Sequence, residues 1–322
     1  MVLALKSSYF RSFILLIPIL FIITYISTID TDIKILQIGR QRNFNWGEDY
    51  NRLINISFSF TTLPLTCSMN QNMFTILIFT SPNNFHRRKT IREIWAPNDL
   101  GVKIYFLLGL TDNETISTQL EEENQIHTDF IQGSFLDSYH NLSYKHVMAL
   151  KYMFFHCPDV KYLVKLDDDT FVNMNRMMKF LHEQYEIDNH SKRIMGEIRI
   201  GHPVLRYGKW KVSMEDYPND TYPPHCPGYA LIYPHDAIFA LYPEAQRGSF
   251  FWIDDVYVTG MIARDSNVGH VDISKHMFIE RGDGVEFSKM NISDEFIMAG
   301  YEISEENMRY LYNLTNNSTS TG

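Results

Sequence analysis

The sequence predicts an α/β domain with a mostly parallel central sheet, set behind an N-terminal transmembrane helix. Three observations predict it. Short apolar runs alternate with amphipathic helical stretches from Asn72 onward, the pattern of strands joined by crossover helices. An uncharged apolar segment, Ser12 to Ser27, follows the basic residues Lys6 and Arg11. The β-rich run of residues 160–166 ends on three consecutive aspartates, Asp167, Asp168 and Asp169.

The apolar segment, extended by Tyr9 and Phe10, reaches about 18 residues, enough for a thin bilayer. No small-x-small cleavage site follows it, so an uncleaved signal anchor is expected over 12–28, behind a cytoplasmic tail over 1–11. A cleaved signal peptide is the alternative. Basic residues on the N-terminal side leave the rest of the chain lumenal or outside. Nine N-x-S/T sequons agree with that side of the membrane, at Asn55, Asn113, Asn141, Asn189, Asn219, Asn291, Asn313, Asn316 and Asn317.

Residues 29–70 are polar and without sustained periodicity, and read as a lumenal stem. The folded domain is expected over 71–304. Its first strand lies in Asn72–Ser81, followed by a helix over His86–Trp95 and a strand over Val102–Gly109. A polar-faced helix (ETISTQLEEENQIH), a short strand (DFIQ) and a helix over Leu142–His156 lead to the aspartate-ended strand. Beyond residue 190 the pattern is irregular, with one further helix near Asp236–Tyr242. Residues 305–322 read as a disordered tail.

A formal net charge of -9 argues against nucleic-acid binding. Three cysteines, Cys67, Cys157 and Cys226, without a CxxC pair, allow at most one disulfide and one spare thiol.

Two readings of the aspartate triplet are open from the residues alone: a solvated acidic turn, or a cation site. Ligands in open α/β sheets bind beyond the carboxyl ends of strands. In extended backbone Asp167 and Asp169 share a face while Asp168 turns aside. Two carboxylates on one face suit a hard divalent cation. In HRRKTIREIW, Arg88 and Arg92 share a helix face just after the first strand. They are either a solvated basic face or a seat for a diphosphate. Asp254 and Asp255 stand among aromatic and β-branched residues in SFFWIDDVYVTG. There they would cap a helix, or one would act as a general base with a raised proton affinity.

Taken together, RKTIREIW, YFLLG, DFIQGSFLDSYHNLSYK, KLDDDTFVN, YPPHCPGYALIY and DDVYVTG resemble, in order, the motifs of the inverting β1,3-glycosyltransferases. That family includes β1,3-galactosyl- and β1,3-N-acetylglucosaminyltransferases and, more distantly, Fringe. The resemblance implies a GT-A glycosyltransferase on a type II anchor in the Golgi membrane. It implies a UDP-sugar donor (UDP-galactose first), a glycan acceptor on glycoprotein or glycolipid, and Mn²⁺ or another divalent cation. It assigns Asp255 as catalytic base, and Asp167, Asp169 and His276 to the metal, with His270 the rival histidine. Arg88, Arg92, Asp137, Tyr139, Asn141, Lys145, Asp167 and Asp168 are then expected around the nucleotide. Asn141, within D-x-Y-x-N-L-T-x-K, is expected to pack inward rather than bear a glycan. Ile94 and Asp254 depart from the usual Thr and Glu, and CPGY is shorter than C-x-G-x-G-Y. The rival functions are transfer of N-acetylglucosamine, a catalytically silent lumenal carbohydrate-binding protein, and a cation-dependent adhesion domain.

Overall fold

The structure is a computed structural model that describes residues 49–64, 73–95, 102–188, 191–279, 286–293, 295–300 and 302–317. The expected cytoplasmic tail, the anchor and most of the stem therefore lie outside the described residues. Among the described residues no helix is long and apolar enough to cross a membrane. Tyr50 to Gly322 forms one compact unit.

Three short strands open that unit: β1 (Arg52–Leu53), β2 (Ile56–Ser57) and β3 (Phe60–Thr62). They fall inside the expected stem, and their placement is a correction. Gln246 holds the β1–β2 turn through the Ile54 amide at 2.7 Å and the Arg52 carbonyl at 2.9 Å. The buried ammonium of Lys151 also reaches Arg52 O. The stem reading failed because strands of two or three residues are too short to show periodicity.

The α/β alternation follows: β4 (Phe74–Phe79), α1 (Phe85–Trp95), β5 (Lys103–Leu110), α2 (Glu114–His127), β6 (Phe130–Leu136), α3 (Leu142–His156) and β7 (Tyr162–Asp167). After β7 come β8 (Phe171–Val172), α4 (Met174–Ile187), β9 (Arg193–Gly196), β10 (Ala230–Pro234) and α5 (His235–Ala245). A π-helix (Val256–Ile262), β11 (Gly269–Asp272), β12 (Met277–Phe278), β13 (Met298–Ala299) and α6 (Glu305–Asn317) complete the chain.

The main sheet has the order β11-β9-β10-β7-β4-β5-β6-β3. Its core, β7-β4-β5-β6, is parallel. Antiparallel β3 closes one side and antiparallel β10 joins the other. The sheet is thus mixed around a parallel core, where the sequence predicted a mostly parallel one. β4 is apolar on both faces apart from Thr75, and all six of its residues are buried. α3 is buried over twelve of its residues, its Phe154 ring lying 4.6 and 4.9 Å from Phe239 and Tyr242 of α5. Such a helix shows no clean amphipathic stripe because it has no solvent face.

The tail expectation is also corrected. Helix α6 seats Met308 and Leu311 with no exposure at all, each burial contributing roughly 1.5–3 kcal/mol. Arg309 and Glu305 bind α1 through Glu93 and Thr90. Only residues 318–322 of the expected tail lie outside the described residues. Cys157 is disulfide-bonded, to a partner outside the described residues, and Cys226 is a buried free thiol, as the cysteine count allows.

Candidate active site

Every parallel core strand ends on the same edge of the sheet, and the loops leaving that edge are fastened together. The Asp137 carboxylate, just beyond β6, accepts the Gly109 N–H of β5 at 2.7 Å. It also receives the Lys145 ammonium, which reaches on to Thr80 O at the end of β4, at 2.8 Å. A Cβ at position 109 would stand 2.6 Å from Phe135 O, so only glycine lets β5 and β6 approach here. Asp137 and Lys145 thus tie three strand ends together. Neither lines the cleft above them, and the nucleotide contacts expected of them are replaced by this fastening. Asn141, at the foot of α3, donates to Leu136 O at 2.8 Å. Tyr139 does reach the cleft, where its hydroxyl accepts from Trp210 Nε1.

The cleft encloses about 500 Å³. Asp167 and Asp169 both line it. Asp168 turns the other way and accepts from Thr80 Oγ1 at 2.6 Å and Asn84 Nδ2 at 2.7 Å. It therefore locks the β4–α1 loop beneath the cleft, and a place around the nucleotide does not fit its orientation. Asp167, set in the cleft among neighbouring side chains, is held by Lys165 Nζ at 2.6 Å. Burial raises the proton affinity of its carboxyl, against the pull of Lys165. The Asp169 carboxyl is pushed up to about 6 by burial and by the charges of Asp167 and Asp168.

Two carboxylates that face one cleft and repel each other fit a divalent cation, which would relieve that repulsion. No cluster of three His, Cys, Asp or Glu side chains able to hold a metal occurs among the described residues. A cation here would take its remaining oxygens from water and a substrate diphosphate, the usual habit of a small hard ion. Neither candidate histidine joins the two aspartates. His276 packs 5.3 Å from the Phe180 ring of α4, and His270 Nε2 lies 2.6 Å from Thr259 O. His276 fails because the turn after β11 faces α4 rather than the cleft.

Arg88 and Arg92 are corrected too. Arg88 is fully buried, bound to Glu123 at 2.7–3.2 Å and to the carbonyls of Ser81 and Pro82. Arg92 spans Glu123 and Asp129 at 2.6–2.9 Å. These carboxylates come from α2 and the turn after it and occupy the forks expected to hold phosphate. The neighbouring Arg87, which helical spacing passes over, reaches the triplet, its Nη1 lying 3.4 Å from Asp168 O. It donates to Ile303 O at 3.0 Å and its charge acts on Asp169.

Asp255, which lines the same cleft, starts the π-helix. Its Oδ1 accepts the Val256 N–H at 2.7 Å and its Oδ2 the Gly228 N–H at 3.3 Å. It caps the π-helix and also faces the cleft, so the two readings of this residue are compatible. Burial and the adjacent Asp254 charge push its carboxyl up to about 7. Burial also acts on Asp254, but His146 and Lys165 hold that carboxyl below its ordinary range. Tyr139, Trp210 and Trp252 rim the cleft, and Tyr222 Oη and His202 Nδ1 line it without a hydrogen-bond partner.

A family model described as galactosyltransferase matches residues 86–274, which contain the cleft aspartates and their fastenings. The chain belongs to the galactosyltransferase family. As a member it is a glycosyltransferase. The human beta-1,3-galactosyltransferase 1 is 31% identical over 283 residues, covering 85% of this chain and 83% of its own. The beta-1,3-galactosyltransferase 5 of Pan paniscus is 28% identical, covering 69% and 73%. The solved galactosyltransferase LgtC, in complex with donor and acceptor sugar analogs, covers 76% of this chain and 95% of its own, at 10% identity and TM-score 0.35. That likeness is too slight to bear on the fold.

Several residues of this galactosyltransferase site escaped the sequence reading. Lys165 left a signal, a lone lysine inside the apolar run YLVKL. His146 and Tyr233 left none, because their partners are 108 and 87 residues away.

Proposed function

We propose that the protein transfers galactose from UDP-galactose to an acceptor glycan hydroxyl, forming a β1,3 linkage with inversion. The reading takes the domain as a GT-A fold, anchored as a single-pass type II protein in the Golgi membrane. The observation that carries it is that Asp255, a carboxylate with near-neutral proton affinity, lines the same cleft as Asp167 and Asp169. A general base works best when its pKa lies near the working pH.

In this reading the acceptor oxygen attacks the anomeric carbon on the face opposite the diphosphate. Asp255 takes the hydroxyl proton, and the bond from the anomeric carbon to the phosphate oxygen breaks with its electron pair leaving on UDP. One displacement converts an α-linked donor into a β-linked product, as in the base half of an inverting glycosidase. Asp167 and Asp169 would hold a divalent cation such as Mn²⁺, whose chemistry is to offset charge developing on the departing diphosphate. Val256 and Gly228 orient the base through its two oxygens. Tyr139, Trp210 and Trp252 offer flat apolar faces with polar tips, a surface on which a sugar ring can lie.

A panel of UDP-sugars assayed against a broad acceptor set, with and without Mn²⁺, tests the reading. Turnover with UDP-galactose is the expected result, and N-acetylglucosamine transfer is the runner-up outcome. Turnover and binding absent with every donor would leave the carbohydrate-binding alternative standing. Asp169→Ala is expected to abolish the Mn²⁺-dependent part of UDP binding. Unchanged metal dependence in that variant would remove Asp169 from the metal.

A further inference from the structure

Asp254 and Asp255 are adjacent carboxylates of the same type at one cleft, yet only one can serve as base. What distinguishes them is a buried chain of side chains from two other elements. Tyr233 Oη on β10 lies 2.7 Å from His146 Nε2 on α3, and His146 Nδ1 lies 2.8 Å from Asp254 Oδ2. His146 and Tyr233 have no solvent exposure, and the imidazole is set edge-on to Phe79 at 5.5 Å and to Tyr233 at 5.9 Å. The ring has no room to turn, so its two nitrogens keep their partners.

We propose that His146 is a positioning residue that assigns the catalytic proton to Asp255 by committing Asp254 to the role of an ionised, non-reacting neighbour. The inference rests on the transfer reading above for the reaction, but the proton's location can be measured without it.

The hydrogen-bond polarity follows from the groups present. Burial holds His146 below its ordinary pKa and so neutral, which leaves it one N–H. Tyr233, its hydroxyl pushed well above the ordinary value by burial, donates to Nε2. That sets the proton on Nδ1, where it is given to the Asp254 carboxylate. Asp254 then stays charged, and its charge next door keeps the proton on Asp255. Among the described residues, Asp255 accepts backbone N–H groups alone, from Val256 and Gly228. The other groups facing this pair are Lys165 and Asp167 from β7, Tyr139 from the turn before α3, and Tyr222 and Cys226 from the loop before β10. None of them bonds Asp254 as His146 does.

Without the His146 N–H, Asp254 keeps fewer donors than Asp255, so the shared proton should move to Asp254. The two carboxyls titrate as a pair, and the change is one of location. The test is a pH titration of ¹³C-labelled aspartate carboxyls by NMR in the full chain, beside kcat/KM profiles. In the native protein the upper step, near 7, belongs to Asp255. Native kcat/KM at about pH 6 should then be about a tenth of its value at about pH 8.

In His146→Leu the upper step should pass to Asp254, and the activity ratio should rise toward one. Tyr233→Phe, which keeps the imidazole but frees its tautomer, should move both readouts the same way by less. It stands in for the leucine variant should that fail to fold. His146→Gln, which restores an N–H donor, should return the upper step to Asp255. A structural role alone would lower stability and kcat while leaving both profiles in place, and that result overturns the proposal. A native chain that transfers no sugar refutes the transfer reading, whereas the carboxyl titration still decides the proton's place.

Discussion

Asp255→Asn is expected to lower kcat by about 10²–10⁴-fold, the usual range for a general base, while UDP-sugar binding persists. The two effects separate because the residue has two jobs. As a cap it accepts the Val256 N–H on one oxygen and the Gly228 N–H on the other, and an asparagine carbonyl oxygen can still accept the closer Val256 N–H while the longer Gly228 contact is given up. As a base it must take a proton, which an amide does not do at neutral pH. Binding by calorimetry and turnover by product release give the two halves. Loss of both together would mean that Asp255 is needed for the cleft itself, and retention of turnover would place the base elsewhere.

In the proposed reaction the same residue would also set the pH dependence. Its folded pKa is raised to about 7, and the ionised form is the active one. Activity should therefore be lost as pH falls through about 7 and approach its plateau above it. An acid limb lying in the ordinary carboxylate range would contradict the assignment.

Arg88→Ala is expected to cost about 3 kcal/mol of folding stability, the lower end of what breaking a buried ion pair typically costs. The lower end applies because Glu123 keeps Arg92 at 2.6 Å when Arg88 is gone. Arg88 itself has no exposure and fills the space beside the Phe85 and Phe130 rings, so packing is lost along with charge. Arg88→Lys should rescue little, since a single ammonium cannot span Glu123, Ser81 O and Pro82 O. Urea unfolding measures the loss. A variant that unfolds normally but binds UDP weakly would restore the nucleotide role that the structure withdraws.

The contrast between Arg88 and Asp255 shows what sequence reading can reach. Residue type and a place after or between apolar runs single out both. A cleft-facing, helix-capping place for Asp255 was legible because the signal is local: its aromatic and β-branched neighbours lie within the same stretch. Arg88 misled because the carboxylate that occupies it, Glu123, is 35 residues away on α2. Nothing in RKTIREIW announces that an acidic residue of a later helix will take its fork. His276 failed for the same reason, since its direction is set by a turn packed on α4.

By itself the sequence determined the α/β alternation, the place of the aspartates at a strand's carboxyl end, and the motifs that mark the family. These are properties of periodicity and order along the chain, which survive without coordinates. Tertiary structure alone decided which charges face the cleft and which are consumed as fasteners. It turned Asp137, Lys145 and Asp168 into ties between strand ends, ordered α6 on the core, and set His146 between Tyr233 and Asp254. The physical reason is that a buried charge must be partnered. Partners are found across the fold, at separations no local pattern encodes.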